Sequence, residues 1–394
     1  MDLPFHRTAG RISLAIVALA AAGLIAFGAS QASASHVGCG DTITADTTLD
    51  SDLLDCPNNG IVIGADDITL DLNGHLIDGD GTEFAGCGKE EICDVGVFND
   101  GHDGVTVRHG SVREFGSGVF VGTSEAGKVR HNRVGDISSS RNLFFGFVLV
   151  GSARSLVRNS SGHHNVAPEG DGMGLFGCRR VRILHNKFRH NPGPGIHLDF
   201  DSSDNLIKRN RFSHNGISLF MGGDQGADHN RVKRNRFGGG REDGILVAPG
   251  NGNVIARNHL TQGGNILVER GHGNLVARNV VRGARRAGIL LGLPNFPVGG
   301  ANNVVRRNLV KGSGSQGFLV TEDKDHTILR NNVAVRAGDD GFAIRSKTAT
   351  LIDNRAVRNA KLGINAVLGV IDGGGNKAHG NGNPAQCTTN IACE

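Results

Sequence analysis

A chain of 394 residues with 61 glycines, 9 prolines and neither Trp nor Tyr is not built from long helices, because glycine at that level lowers helix stability. It must turn often through φ > 0. The formal net charge of +4 includes a contribution from the leader, so the rest is near balance, which leaves room for a locally basic face. The missing Tyr excludes mechanisms that need a catalytic Tyr, and without Trp or Tyr the rings on which neutral sugars usually stack are absent.

The first predicted element is a leader. Arg7 and Arg11 form a positive start, Ile12 to Ala29 is apolar and uncharged, and Ala32-Ser33-Ala34 is a small-x-small cleavage site. Residues 1–34 therefore read as a signal peptide, or, uncleaved, as a membrane anchor. Either reading places the remainder outside the cytoplasm, secreted or at the cell surface. The membrane enters only through this segment. Residues 35–67 read as an N-terminal cap, and Leu70-Asp71-Leu72-Asn73-Gly74-His75-Leu76-Ile77 as an early coil. An insertion follows from about Thr82 to Asp94. Six cysteines fall in local pairs, Cys39 with Cys56, Cys87 with Cys93 and Cys387 with Cys393. In an exported chain these predict disulfides. Cys178, inside a strand pattern, reads as a buried thiol.

From residue 68 to 376 one phrase recurs: an apolar residue, two further residues, then Asn. Examples are Ile183-Leu184-His185-Asn186, Ile207-Lys208-Arg209-Asn210 and Val232-Lys233-Arg234-Asn235. The series is read at Asn132, Asn159, Asn186, Asn210, Asn235, Asn258, Asn279, Asn308, Asn331, Asn354 and Asn376, every 21 to 29 residues. Between the copies stands a Gly followed by alternating apolar residues, as in Gly195-Ile196-His197-Leu198 and Gly244-Ile245-Leu246-Val247, and alternation means strand. A period in the low twenties is one coil of a β-solenoid. Asn amides stacked about 4.8 Å apart can bond to one another in a ladder. Roughly 11 to 13 coils are expected, with residues 377–394 as the C-terminal cap. A leucine-rich repeat would need several Leu at fixed positions around the Asn, and those are missing.

The phrases Gly-Ile-x-Leu and Ile-x-x-Asn-x-Phe, with Ile68-Thr69-Leu70-Asp71-Leu72-Asn73-Gly74-His75, resemble the repeats of the pectate-lyase-like superfamily. This resemblance implies an all-β, right-handed parallel β-helix. It spans pectate lyases, polygalacturonases, alginate-modifying enzymes, tailspikes and NosD-type periplasmic proteins linked to copper, so it leaves function open. Gly338-Asp339-Asp340-Gly341 resembles the polygalacturonase Gly-Asp-Asp segment. The family's later His-Gly and Arg-Ile-Lys segments have no counterpart, and the pair reads better as a polar turn.

Four groups are candidates for chemistry. In His197-Leu198-Asp199-Phe200-Asp201 alternation sends Ile196, Leu198 and Phe200 inward and His197, Asp199 and Asp201 outward. Glu169 and Asp171 stand one coil earlier and Asp224 one coil later. The catalytic candidates are accordingly Asp199, Asp201, His197 and Asp171, as a general base next to a uronate carboxyl; Ca²⁺ on the same carboxylates is the possible cofactor. His164, His190 and His214 fall at one turn position in three coils and are candidate copper or zinc ligands. Arg158, Arg209, Arg234, Arg257, Arg278, Arg307 and Arg330 each precede a repeat Asn and should stack along one exposed corner, where they would grip carboxylate or sulfate. An apolar outward stripe, Phe120, Val148, Phe176, Leu246, Leu267, Leu290 and Leu319, marks a covered or partner surface. The expected partner is an acidic polysaccharide, not nucleic acid, bound or processed. A non-catalytic surface rod and a NosD-like metal-handling protein are the alternatives.

Overall fold

The computed structural model describes residues 36–82, 93–123, 128–223, 225–294 and 299–394. The leader and Cys87 lie outside them. Short strands wind into a parallel β-solenoid with no helix among the described residues. One long sheet holds 14 parallel strands, from Asp41–Ile43 to Ile364–Ala366. Each coil adds two more strands of mostly three residues, such as Arg182–Leu184 and Lys187–Arg189, which stack on their counterparts one coil away. The cross-section therefore has three faces and three corners. We call the corner that precedes strands like Arg182–Leu184 the first, the corner between the two short strands the second, and the corner after strands like Lys187–Arg189 the third.

Each corner is tight for the same reason. One residue sits at positive φ, and in most coils the next turns a small polar side chain inward, with Val181, Ala284 and Ala337 among the exceptions. At the second corner the inward residues are Asn186, Asn210, Asn235, Asn258, Asn279, Asn308, Asn332, Asn354 and Asn376, all essentially buried. Asn235 is representative. Its Nδ2 donates to Ile207 O at 2.9 Å and to Asn258 Oδ1 at 3.1 Å, and its backbone N donates to the same Oδ1 at 2.9 Å. Each buried amide is thus satisfied by the coil on either side.

The structure corrects the single ladder expected from the sequence: there are three. Asn132 belongs to the first corner with Ser155, Asn205, Asn230, Asn253, Asn274 and Asn303. Asn142, Asn165, Asn191 and Asn215 form a third. Asn159 and Asn331 are not ladder residues at all. They occupy the positive-φ position, at 53° and 54°, and Ser160 and Asn332 take the inward place. Asn tolerates the left-handed conformation as readily as it ladders, so adjacent candidates cannot be told apart by spacing.

The core is one continuous apolar column. Its volume is shared between faces. On the third face, formed by strands like Lys187–Arg189, stand Phe188, Phe212 and Phe237, and there the long sheet contributes Ile196, Leu219 and Ile245. Where the third face shrinks to Ala334 and Ala356, the long sheet supplies Phe318 and Phe342, stacked at 4.6 Å. Such compensation keeps the interior at close-packed density. Cys39–Cys56 and Cys387–Cys393 are disulfide-bonded as expected, and Cys178 is a buried free thiol. At the far end Gln386 Oε1 receives the last amide of the third ladder, Asn381 Nδ2, at 2.9 Å.

Candidate functional site

The arginines gather at the second corner. Arg209, Arg234, Arg257, Arg278 and Arg307 occupy its positive-φ position in five successive coils, at φ 59°, 57°, 59°, 56° and 56°. The backbone N–H of each donates to a carbonyl of the next coil, Arg209 to Lys233 at 3.2 Å and Arg278 to Arg306 at 3.0 Å. Coils about 4.8 Å apart place the five on a line about 19 Å long. All five are exposed, and none is ion-paired with a carboxylate among the described residues. Lys208 and Lys233 stack on one side of the line, Lys187, Arg211 and Arg236 on the other. The Lys233 ammonium is held below its ordinary value by burial, then by Arg231, Arg257 and Lys208. Arg158 and Arg330 are not in the line. Because Asn159 and Asn331 take the corner position, these two end the preceding strands, and Arg330 lies 3.8 Å from Asp353.

The acidic segment lies on the long sheet, on a different side of the cross-section. Here the outward column runs through Phe120, Val148, Gly174, His197, Phe220, Leu246, Leu267, Leu290 and Leu319. Its apolar members other than Phe220 pack into two outer clusters, and Phe176 joins the first of these from the neighbouring column. The imidazole is the one polar side chain in that run. His197 Nδ1 stands 3.5 Å from Asp171 Oδ2. Phe220 stacks on the imidazole at 4.8 Å and Phe176 meets it edge-on at 5.5 Å. Asp171 is 3% exposed. Burial pushes its carboxyl up to about 6 against the attraction of His197, and Glu169 adds to the rise. Asp171 Oδ1 and His197 Nε2 are both buried without a hydrogen-bond partner. A carboxylate beside one imidazole nitrogen, with the other nitrogen unsatisfied, can take up and return a proton.

Asp199 and Asp201 do not join this pair. The strand ends at Asp199, and Phe200 and Asp201 follow at φ 52° and 58°. Phe200 therefore points outward, 44% exposed, against the inward position expected. Asp199 is buried, and its Oδ1 accepts from Phe200 N at 2.7 Å and Gln225 N at 3.4 Å. Asp201 is exposed at the corner. Asp224 lies outside the described residues. Phe220 pairs with His197 one coil on, in Ser218-Leu219-Phe220-Met221, where Ser218 stands in place of the phrase glycine and hides the repeat from the sequence.

Asp339 and Asp340 are tied into their turn. Leu362 N and Asn365 Nδ2 donate to the Asp340 carboxylate at 2.9 Å each, and Gln316 Nε2 and Lys361 Nζ reach Asp339 at 3.0 Å each. His164, His190 and His214 do stack one above another, with centroids 4.8 Å apart. Among the described residues no group of three or more His, Cys, Asp or Glu is placed to hold a metal ion, so neither this column nor the carboxylates assemble a recognisable copper, zinc or Ca²⁺ centre.

Comparison with known proteins agrees with this geometry. The family model described as "Right handed beta helix region" matches residues 45–205 and again 95–239. The model described as "Periplasmic copper-binding protein (NosD)" matches residues 224–381. No curated protein matches the sequence. Among solved structures the chain is similar to the A-module of the Azotobacter vinelandii mannuronan C-5 epimerase AlgE4, with TM-score 0.60 and 14% identity over 80% of this chain and 90% of that one. It is also similar to the A-module of AlgE6 from the same organism, with TM-score 0.51 and 13% identity over 91% and 90%. At such identities the likeness is one of fold. The chain is a right-handed parallel β-helix repeat protein.

Proposed function

We propose that this protein is an extracytoplasmic β-helix that binds an acidic polysaccharide along its second corner, the sugar chain running parallel to the solenoid axis. The observation that carries the reading is the line of five exposed arginines without carboxylate partners. A non-glycine residue at positive φ costs on the order of 1 kcal/mol, and the first corner uses Gly252 and Gly273 at the equivalent place. Five arginines kept there, at a spacing that crowds like charge, need anions. A polyuronate supplies one carboxylate per sugar, and guanidinium grips carboxylate in two-point fashion. Two proteins of similar fold are named for mannuronan, a polyuronate, and the disulfides fit an oxidising compartment. The test is affinity electrophoresis in gels containing polymannuronate, polygalacturonate or dextran. The polyuronates should retard the protein and dextran should not. Replacing Arg209, Arg234, Arg257, Arg278 and Arg307 by Gln should abolish the retardation while the circular dichroism spectrum is unchanged. Equal retardation of parent and variant would overturn the reading.

A catalytic reading has one specific observation in its favour, the Asp171–His197 pair with its unsatisfied buried atoms. In that reading His197 Nε2 is the proton carrier and Asp171 positions it. Turnover of a polyuronate, followed as new unsaturated ends, should vanish in His197→Gln while retardation by the same polymer persists. Turnover unchanged in that variant would remove the pair from any catalytic role.

A further inference from the structure

The third corner carries a feature that neither the arginine line nor the Asp171–His197 pair uses. Its positive-φ positions are held in successive coils by Arg141, His164, His190 and His214. The imidazoles lie flat on one another, 15° apart in plane for His164 and His190 and 1° for His190 and His214. The column ends over Gly239, where a side chain would strike the His214 ring. His163, at the end of the preceding strand, turns Nδ1 toward His164 Nδ1 at 2.9 Å and Nε2 toward Ser138 Oγ at 3.2 Å. With Arg113, Ser140 and Arg141 these two histidines line an open cleft of about 310 Å³.

The charges around the cleft do not cancel. Arg113 is held by Asp78 at 2.7 Å and lies 3.9 Å from Glu114; Arg141 reaches the same Glu114 at 3.5 Å. Arg189 sits beside His163 one coil on. Three guanidinium groups thus meet two carboxylates. The charged groups facing the imidazoles are Arg141, Arg189 and one another, and among the described residues no carboxylate bonds to His163, His164, His190 or His214. Rings stacked in parallel keep like nitrogens side by side, about as far apart as the centroids, whereas a metal ion needs nitrogens converging at roughly 2.0 to 2.1 Å. A row of N–H donors suits an oxyanion instead.

We propose that this cleft and the imidazole column above it form an oxyanion site that takes a sulfate or phosphate group, as an ester or as the free ion, and binds it more tightly as the imidazoles gain protons. His163, His164 and His190 all favour the uncharged form. Burial, then Arg189 and the neighbouring rings, brings His163 down to about 4, and burial followed by the adjacent rings and Arg189 depresses His164 and His190. A bound dianion opposes those repulsions, so binding and proton uptake are linked.

The experiment is calorimetric titration of the whole chain with inorganic sulfate and with a sulfated disaccharide, at pH 5.5 and 7.5. Sulfate keeps its charge over that range. The expected result is about tenfold tighter binding at pH 5.5, an average uptake of about half a proton over the two pH units, with proton uptake visible as a buffer-dependent heat. A disaccharide that binds more tightly than the free ion identifies an ester as the ligand; equal affinities identify the ion itself. His164→Gln, His190→Gln and His214→Gln together should remove the pH dependence and leave polyuronate retardation intact. Imidazole NMR titration of the unmodified chain, in which sulfate should raise the histidine midpoints, does not depend on that variant folding. Binding that is independent of pH, histidine midpoints unmoved by sulfate, or Cu²⁺ or Zn²⁺ displacing sulfate from the same histidines would overturn the proposal.

Discussion

Replacing Asp171 by Asn removes a charge that the fold holds at a loss. Burial raises this carboxyl from an ordinary 3.8 to about 6. The unfolded chain ionises near 3.8, so the folded state loses stability as pH rises from there to about 6, and the full penalty persists above that. A difference of roughly 2 units, at about 1.4 kcal/mol per unit, is about 3 kcal/mol. Asn preserves the shape and carries no charge. The variant should therefore exceed the parent by up to about 3 kcal/mol at pH 7 and match it at pH 3.5. Guanidinium titrations followed by circular dichroism at the two pH values measure both quantities. A variant less stable at pH 7, or a difference that does not change with pH, would refute a buried carboxylate whose desolvation outweighs its attraction to His197.

The remaining predictions concern the frame. Asn332→Ala strips buried partners from Asn308 and Val305 and should cost at least about 3 kcal/mol, whereas Asn331→Ala should cost about 1 kcal/mol; equal shifts in urea midpoint would contradict the ladder register. His163, depressed from 6.5 to about 4, favours the fold only while neutral. Stability should thus fall as pH drops from 6.5 toward 4, by about 1 to 2 kcal/mol after allowance for solvent screening, and His163→Gln should abolish that loss in a pH series of denaturant midpoints. Removing the Cys387–Cys393 bond with paired Ser substitutions should speed amide exchange in Lys377–His379 and leave Ile289–Leu291 unchanged, because coils interact with their neighbours; equal acceleration in both would contradict such local coupling.

The period of the sequence made the solenoid legible, since a three-faced coil repeats its apolar and amide positions with few alternatives. Three things escaped it. Asn fits both the left-handed corner and the inward ladder, so Asn159 and Asn331 were assigned one place off, and with them Arg158 and Arg330. Strict alternation carried Phe200 inward because nothing in His197-Leu198-Asp199-Phe200-Asp201 marks the end of the strand at Asp199. The His-Asn pairs at residues 164, 190 and 214 announced a third ladder and a stacked column. They were read for metal because stacking and chelation place the same residue type at the same spacing, and only ring orientation separates them. The Asp171–His197 contact was partly visible as neighbours one coil apart, but the missing hydrogen-bond partners are a property of packing.

The central claim is that an acidic sugar chain lies along five aligned arginines. Affinity for size-defined oligouronates of two to ten sugars, measured at low salt, tests it most directly. Each added sugar should strengthen binding by a similar factor until about five or six, where the line of about 19 Å is filled, and the gain should then level off and weaken steeply with salt. Affinity that is the same for a dimer and a hexamer, or that survives replacement of all five arginines by Gln, would contradict it.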